Sequence, residues 1–64
     1  MYVEFKNVLY NMDFIRTIDL RRSSICFYAA EDRYHALNYE NDEEAKEAFE
    51  KLKNRLKGET IKLD

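Results

Sequence analysis

The stretch SSICFYAAEDRYHALNY, residues 23–39, holds six consecutive apolar or aromatic residues, Ile25 to Ala30, then an acidic break and a second strand-like run. Successive side chains of a strand point to opposite faces. Ile25, Phe27 and Ala29 therefore share one face, and Cys26, Tyr28 and Ala30 take the other. Strands of a small antiparallel sheet commonly keep one face wet. A run that is apolar on both faces asks what covers the second.

The neighbouring segments carry the same division. Ile18 and Leu20 oppose Thr17, Asp19 and Arg21, and Leu37 and Tyr39 oppose Ala36 and Asn38. One face is thus strongly apolar, and the second is mixed, with Tyr2, Cys26 and Tyr28 as its expected members. Over the first forty residues the Tyr, Phe, Ile and Val content, interrupted by short polar clusters, predicts a meander of antiparallel strands near residues 2–6, 8–11, 15–22, 24–30 and 34–39. Breaks fall at Lys6-Asn7, Asn11 to Asp13, Arg22-Ser23 and Glu31 to Arg33. Asn and Asp suit such places because their side chains bond nearby backbone and tolerate left-handed conformations. With no glycine at any of them, loops of three to five residues are expected in preference to tight type I′ turns.

From Asn41 the period changes. Ala45, Ala48, Phe49, Leu52 and Leu56 recur at spacings of three and four, the stripe of an amphipathic helix over residues 42–57. Asn41 with Glu44 three residues on reads as a capping box, and Gly58 fits a C-cap. Acids crowd the first turns and Lys51, Lys53, Arg55 and Lys57 the last, which complements the helix dipole. The tail, residues 59–64, alternates Ile61 and Leu63 about Lys62 and suits a sheet edge. One helix covers only one face of a sheet four or five strands wide. The expected fold is α+β, a single small domain over residues 1–64 in which an antiparallel sheet of four to five strands carries one C-terminal helix.

Bulk properties narrow the function classes. A domain of 64 residues buries only about 60% of the surface its unfolded chain exposes. Domains of this size are commonly reinforced by disulfides, a metal or self-association. One cysteine, Cys26, and one histidine, His35, provide neither an internal disulfide nor a zinc ligand set. No cofactor or metal is expected, and self-association remains. The start MYVEFKNVLY lacks the regions of a signal peptide, and no apolar run nears the roughly 20 residues of a membrane span. The expected location is cytoplasmic.

No catalytic constellation emerges. Cys26 sits between Ile25 and Phe27, without the positive setting that activates a thiol. It could meet His35 only if the last two strands paired in a suitable register, and such a pair would still lack an orienting third group. Asp42, Glu43, Glu44 and Glu47 lack the alternating ligands and glycine of an EF-hand loop, and serve instead as capping and solvated residues. A non-enzymatic role is therefore expected. Arg21, Arg22 and Arg33 with Tyr34 and the other tyrosines form a candidate anion or partner contact, since bases stack on sheet aromatics beside arginines. Six acids and five bases in the first forty residues leave no net positive field there, which disfavours a long nucleic acid more than a nucleotide.

The segment LYNMDFIRTIDL, residues 9–20, followed by two further strands and DEEAKEAFEKL, resembles a pattern in short uncharacterised bacterial and phage-encoded proteins, in which Asn-x-Asp-x-Ile leads one strand into the next and an acidic-start helix closes the chain. Asn11, Asp13 and Ile15 match it. The motif is structural and carries no catalytic residue. The resemblance implies a protein that binds a host macromolecule or sequesters a small ligand, such as a phage-type inhibitor of a host defence system. Together these readings predict a small cytoplasmic interaction protein acting as a homo-oligomer, most simply a two-fold dimer. Tyr2, Cys26, Tyr28, Ile61 and Leu63 are its candidate contacts. A nucleotide or single-stranded nucleic-acid module is the alternative.

Overall fold

In the computed structural model, which describes residues 1–63, the chain runs through β1 (Tyr2–Phe5), β2 (Val8–Asn11), a 3-10 turn (Met12–Phe14), β3 (Ile15–Arg21), β4 (Ser24–Ala29), β5 (Tyr34–Asn38), α1 (Asp42–Arg55) and a second 3-10 turn (Lys57–Glu59). The class is α+β, and each of these strands lies within one residue of its expected bounds. The five strands do not form one meander. They divide into a β1-β2 hairpin and a three-stranded antiparallel sheet in the order β3-β4-β5.

The break between the two sheets falls at the Asn-x-Asp-x-Ile motif. The Asp13 N–H donates to Asn11 Oδ1 at 3.0 Å, a side-chain turn that competes with continued strand pairing. Met12 N–H donates to the Met1 carbonyl at 3.0 Å, tying the two ends of the hairpin together. The chain leaves the strand direction over Met12–Phe14 and re-enters it at Ile15, which packs against the core. Freed from the sheet, the hairpin lies upon it.

Register fixes which residues share that covered face. Ile18 pairs with Phe27, Leu20 with Ile25, and these in turn with His35 and Leu37. Ile25, Phe27 and Leu37 are at most 2% exposed and form the centre of the core. Ala48, Phe49 and Leu52 pack against it from α1, and Val3, Phe5 and Tyr10 from the hairpin. Helix and hairpin together therefore cover what one helix could not. Ala45, 0% exposed, lets the first turns of α1 seat closely. Leu56, the last residue of the expected apolar stripe, lies outside this cluster and is only half-buried beyond the end of α1.

The turns depart from expectation. Phe5 pairs with Val8 across Lys6-Asn7, both with positive φ (48° and 65°), the signs of a type I′ turn. Arg21 pairs with Ser24 across Arg22-Ser23, with Arg22 at φ 53°. Both are two-residue turns without glycine. Pairing of the flanking apolar residues holds these hairpins in register and imposes the left-handed residues, whose cost is about 1–2 kcal/mol each. Glu31 and Asp32, at φ 63° and 59°, complete the longer connection from β4 to β5.

The N-cap is as expected, with Glu44 N–H donating to Asn41 Oδ1 at 2.9 Å. The C-cap is not. Leu56 closes α1, Gly58 has no positive φ and lies in the following 3-10 turn, so the helix ends two residues early without a left-handed glycine. Thr60 Oγ1 donates to the Leu56 carbonyl at 2.8 Å and satisfies one of the terminal acceptors. Residues 60–63 form no strand and add to no sheet edge, and the final residue of the tail lies outside the described residues.

Candidate functional site

The second face of the three-stranded sheet is a three-by-three grid set by the pairing register. Its rows are Thr17, Tyr28 and Tyr34; Asp19, Cys26 and Ala36; and Arg21, Ser24 and Asn38. The hairpin and α1 both pack on the opposite face, so among the described residues no element lies on this one. Thr17, Arg21, Tyr34, Ala36 and Asn38 are exposed. Cys26 is nevertheless only 7% exposed. A small side chain at the centre of the grid is shielded by its eight larger or flanking neighbours without any covering layer.

The polar members answer one another. Arg21 Nε donates to Asp19 Oδ2 at 2.7 Å, and this bond and the carboxylate's charge raise the guanidinium pKa above its ordinary value. Ser24 Oγ donates to Asn38 Oδ1 at 2.6 Å. At the far end Tyr28 and Tyr34 lie side by side, with ring centroids 5.8 Å apart and planes inclined by 30°. The face thus grades from a charged and polar end to an aromatic end.

Of the contacts expected from sequence, Cys26 and Tyr28 occupy this face together. Tyr2 does not join them, because it belongs to the hairpin, on the outward side opposite to Val3 and Phe5, and is 63% exposed there. Ile61 and Leu63, 84% and 95% exposed, stand in the tail without a strand partner. The anion set is divided as well. Arg21 and Arg22 sit where β3 turns into β4, whereas Arg33 and Tyr34 sit at the other end of β4, about 17 Å away over a six-residue strand. Arg21 is already paired with Asp19.

The register also separates Cys26 from His35. Cys26 pairs with Ala36, which places His35 opposite Phe27 on the covered side, where its ring meets Tyr10 at 5.5 Å. The two side chains stand on opposite faces and form no dyad. Among the described residues, no three or more His, Cys, Asp or Glu side chains are grouped to hold a metal ion. No helix among them is long and apolar enough to cross a membrane.

Two further surface features lay outside the sequence reading. A cleft of about 520 Å³ opens between hairpin and helix, lined by Val3, Tyr39, Ala48 and Leu52 above the buried core and rimmed by Glu4, Lys51 and Arg55. Val8, Leu9 and Phe14, between 48% and 71% exposed, make an apolar patch continuing to Tyr10 and His35. Leu9 of the unbroken run Val8-Leu9-Tyr10 falls on the outward side of the hairpin with Tyr2, since a two-stranded hairpin can bury only one face. Compared with known proteins, the chain matches no family model, and no curated protein or solved structure matches it significantly.

Proposed function

We propose that this chain is a small cytoplasmic interaction protein that works by binding and not by catalysis, and that it does so as a homo-oligomer. One observation carries the reading: among the described residues no element covers a whole sheet face, with the Tyr28–Tyr34 pair at one end. Aromatic residues set among satisfied polar groups suit a protein contact, in which they supply large rigid area and the polar rim sets register. The resemblance to phage-encoded small proteins adds the class of partner, a host protein that the chain would inhibit.

The test is capture of a partner by the native chain and by a Tyr28→Ala, Tyr34→Ala variant shown by circular dichroism to be folded. Loss of capture by at least about tenfold in affinity, the equivalent of about 1.4 kcal/mol, is expected. Undiminished capture would remove the face from the function. The nucleotide or single-stranded nucleic-acid reading is less favoured by the split of Arg21 and Arg22 from Arg33. Oligonucleotide binding that weakens steeply as salt rises would restore it.

A further inference from the structure

The two edges of the three-stranded sheet are protected unequally. β3 carries Arg16, Asp19 and Arg21 and a register irregularity between Ile15 and Thr17, devices that discourage pairing with another chain. β5, Tyr34-His35-Ala36-Leu37-Asn38, has no Lys, Arg, Asp, Glu or Pro, and its ladder to β4 is unbroken. Tyr34, His35, Ala36 and Asn38 are all exposed. In a chain that is 38% charged, a bare five-residue edge stands out as a place where strands can add.

The hydrogen bonds show which backbone groups that edge offers. Ala29 N–H donates to the Arg33 carbonyl at 2.8 Å, and Tyr39 N–H to the Ser23 carbonyl at 2.8 Å. In an antiparallel ladder inward-bonding residues alternate. Arg33, His35, Leu37 and Tyr39 therefore bond to β4, while the N–H and C=O groups of Tyr34, Ala36 and Asn38 point outward.

We infer that two copies of this chain pair β5 to β5 about a two-fold axis at Ala36. The inference rests on the homo-oligomer reading above and specifies its interface. With Ala36 opposite its own copy and Tyr34 opposite the second copy's Asn38, all three outward residues on each strand exchange both bonds, six in total by the antiparallel rule. The smallest side chain of the strand then lies at the axis, where two identical side chains must meet. Val8 and Leu9, exposed beside His35, adjoin the same edge and are drawn toward the second copy. The two open faces become one continuous six-stranded face, with a Tyr28–Tyr34 pair on either side of the axis. A partner therefore meets a surface twice as wide and two-fold symmetric.

The test uses two variants of the full chain. Ala36→Pro removes an outward N–H and leaves the bonds to β4 intact, so it should fold by circular dichroism yet raise the dimer dissociation constant at least about tenfold. Light scattering would then give the 7.8 kDa chain mass at concentrations where the native protein gives twice that. In the second variant, Ala36→Cys is combined with Cys26→Ser. Facing residues of a bonded antiparallel pair lie about 5.5 Å apart between Cα atoms, within disulfide reach. This chain should cross-link on mild oxidation, and Thr17→Cys in the same background, on the other edge strand, should not. Cross-linking through Thr17 but not Ala36 would overturn the edge assignment while leaving the dimer. A native protein that is monomeric at every concentration and an Ala36→Cys chain that never cross-links would overturn both the edge and the homo-oligomer. Should Ala36→Pro fail to fold, the cross-linking comparison decides alone.

Discussion

Tyr10 of the hairpin stands edge-on to Phe27 at the centre of the sheet, with ring centroids 5.4 Å apart and planes at 81°. This is a favourable aromatic geometry, and it joins the smaller sheet to the larger. Phe27 is 0% exposed, so Phe27→Ala should cost about 3–5 kcal/mol, a large share of the stability available to so small a domain. A double-mutant cycle with Tyr10→Leu and Phe27→Leu should return a coupling of about 0.5–1.5 kcal/mol. Strictly additive melting data would mean that the hairpin is not held through this pair.

The left-handed turn residues lead to stabilising substitutions. Arg22→Gly and Glu31→Gly each relieve a positive φ that an L side chain resists. The relief of about 1–2 kcal/mol exceeds the extra entropy glycine gains when unfolded, so a net gain of about 0.5–1 kcal/mol is expected. Ser23→Gly, at the adjacent position without positive φ, should lower stability. Asn7→Gly should help less than either, since Asn tolerates this region. Thermal melts of the four variants check the ranking.

The helix cap rests on one side chain. Asn41→Ala removes the acceptor for the Glu44 N–H and should cost about 1 kcal/mol, whereas Asn41→Asp or Asn41→Ser should retain most of the stability. Equal melts for Asn41→Ala and the native chain would place the helix start elsewhere.

Tyr39 gives a signature at high pH. Its ring packs against Phe5 with centroids 5.0 Å apart, and burial raises its pKa above the ordinary value of 10.0. The native state thus holds the phenol proton more tightly than the unfolded chain. Its contribution is fully present below pH 10 and is lost as pH rises through the native pKa. Tyr39→Phe should flatten the fall in stability above pH 10 and leave the curve near neutrality almost unchanged. An identical alkaline slope in both proteins would show that Tyr39 does not titrate from a buried position.

The sequence by itself determined the elements, because side-chain periodicity and local capping are properties of neighbouring residues. The alternation of Ile25 and Phe27 against Cys26 and Tyr28, the stripe from Ala45 to Leu52 and the Asn41 cap all stand where those patterns place them. The motif Asn11-x-Asp13-x-Ile15 was legible as a turn. That it would split one meander into two sheets was not, because whether a hairpin extends a sheet or lies on it depends on contacts such as Tyr10 with Phe27 between distant segments. Local residue preference likewise pointed away from tight turns at Lys6-Asn7 and Arg22-Ser23, where pairing of the flanking strands overrode it. Parity alone set Cys26, Tyr28, Thr17, Asp19, Arg21, Ala36 and Asn38 apart from the apolar residues, yet which of them stand side by side, and that Tyr34 joins Tyr28 there, required the register. Register also sent His35 to the face away from Cys26 and left Tyr2 on a different sheet. Only the tertiary structure decided these, since the cross-strand partner of a residue is chosen by burial of the whole apolar face at once and not by the residues beside it in the chain.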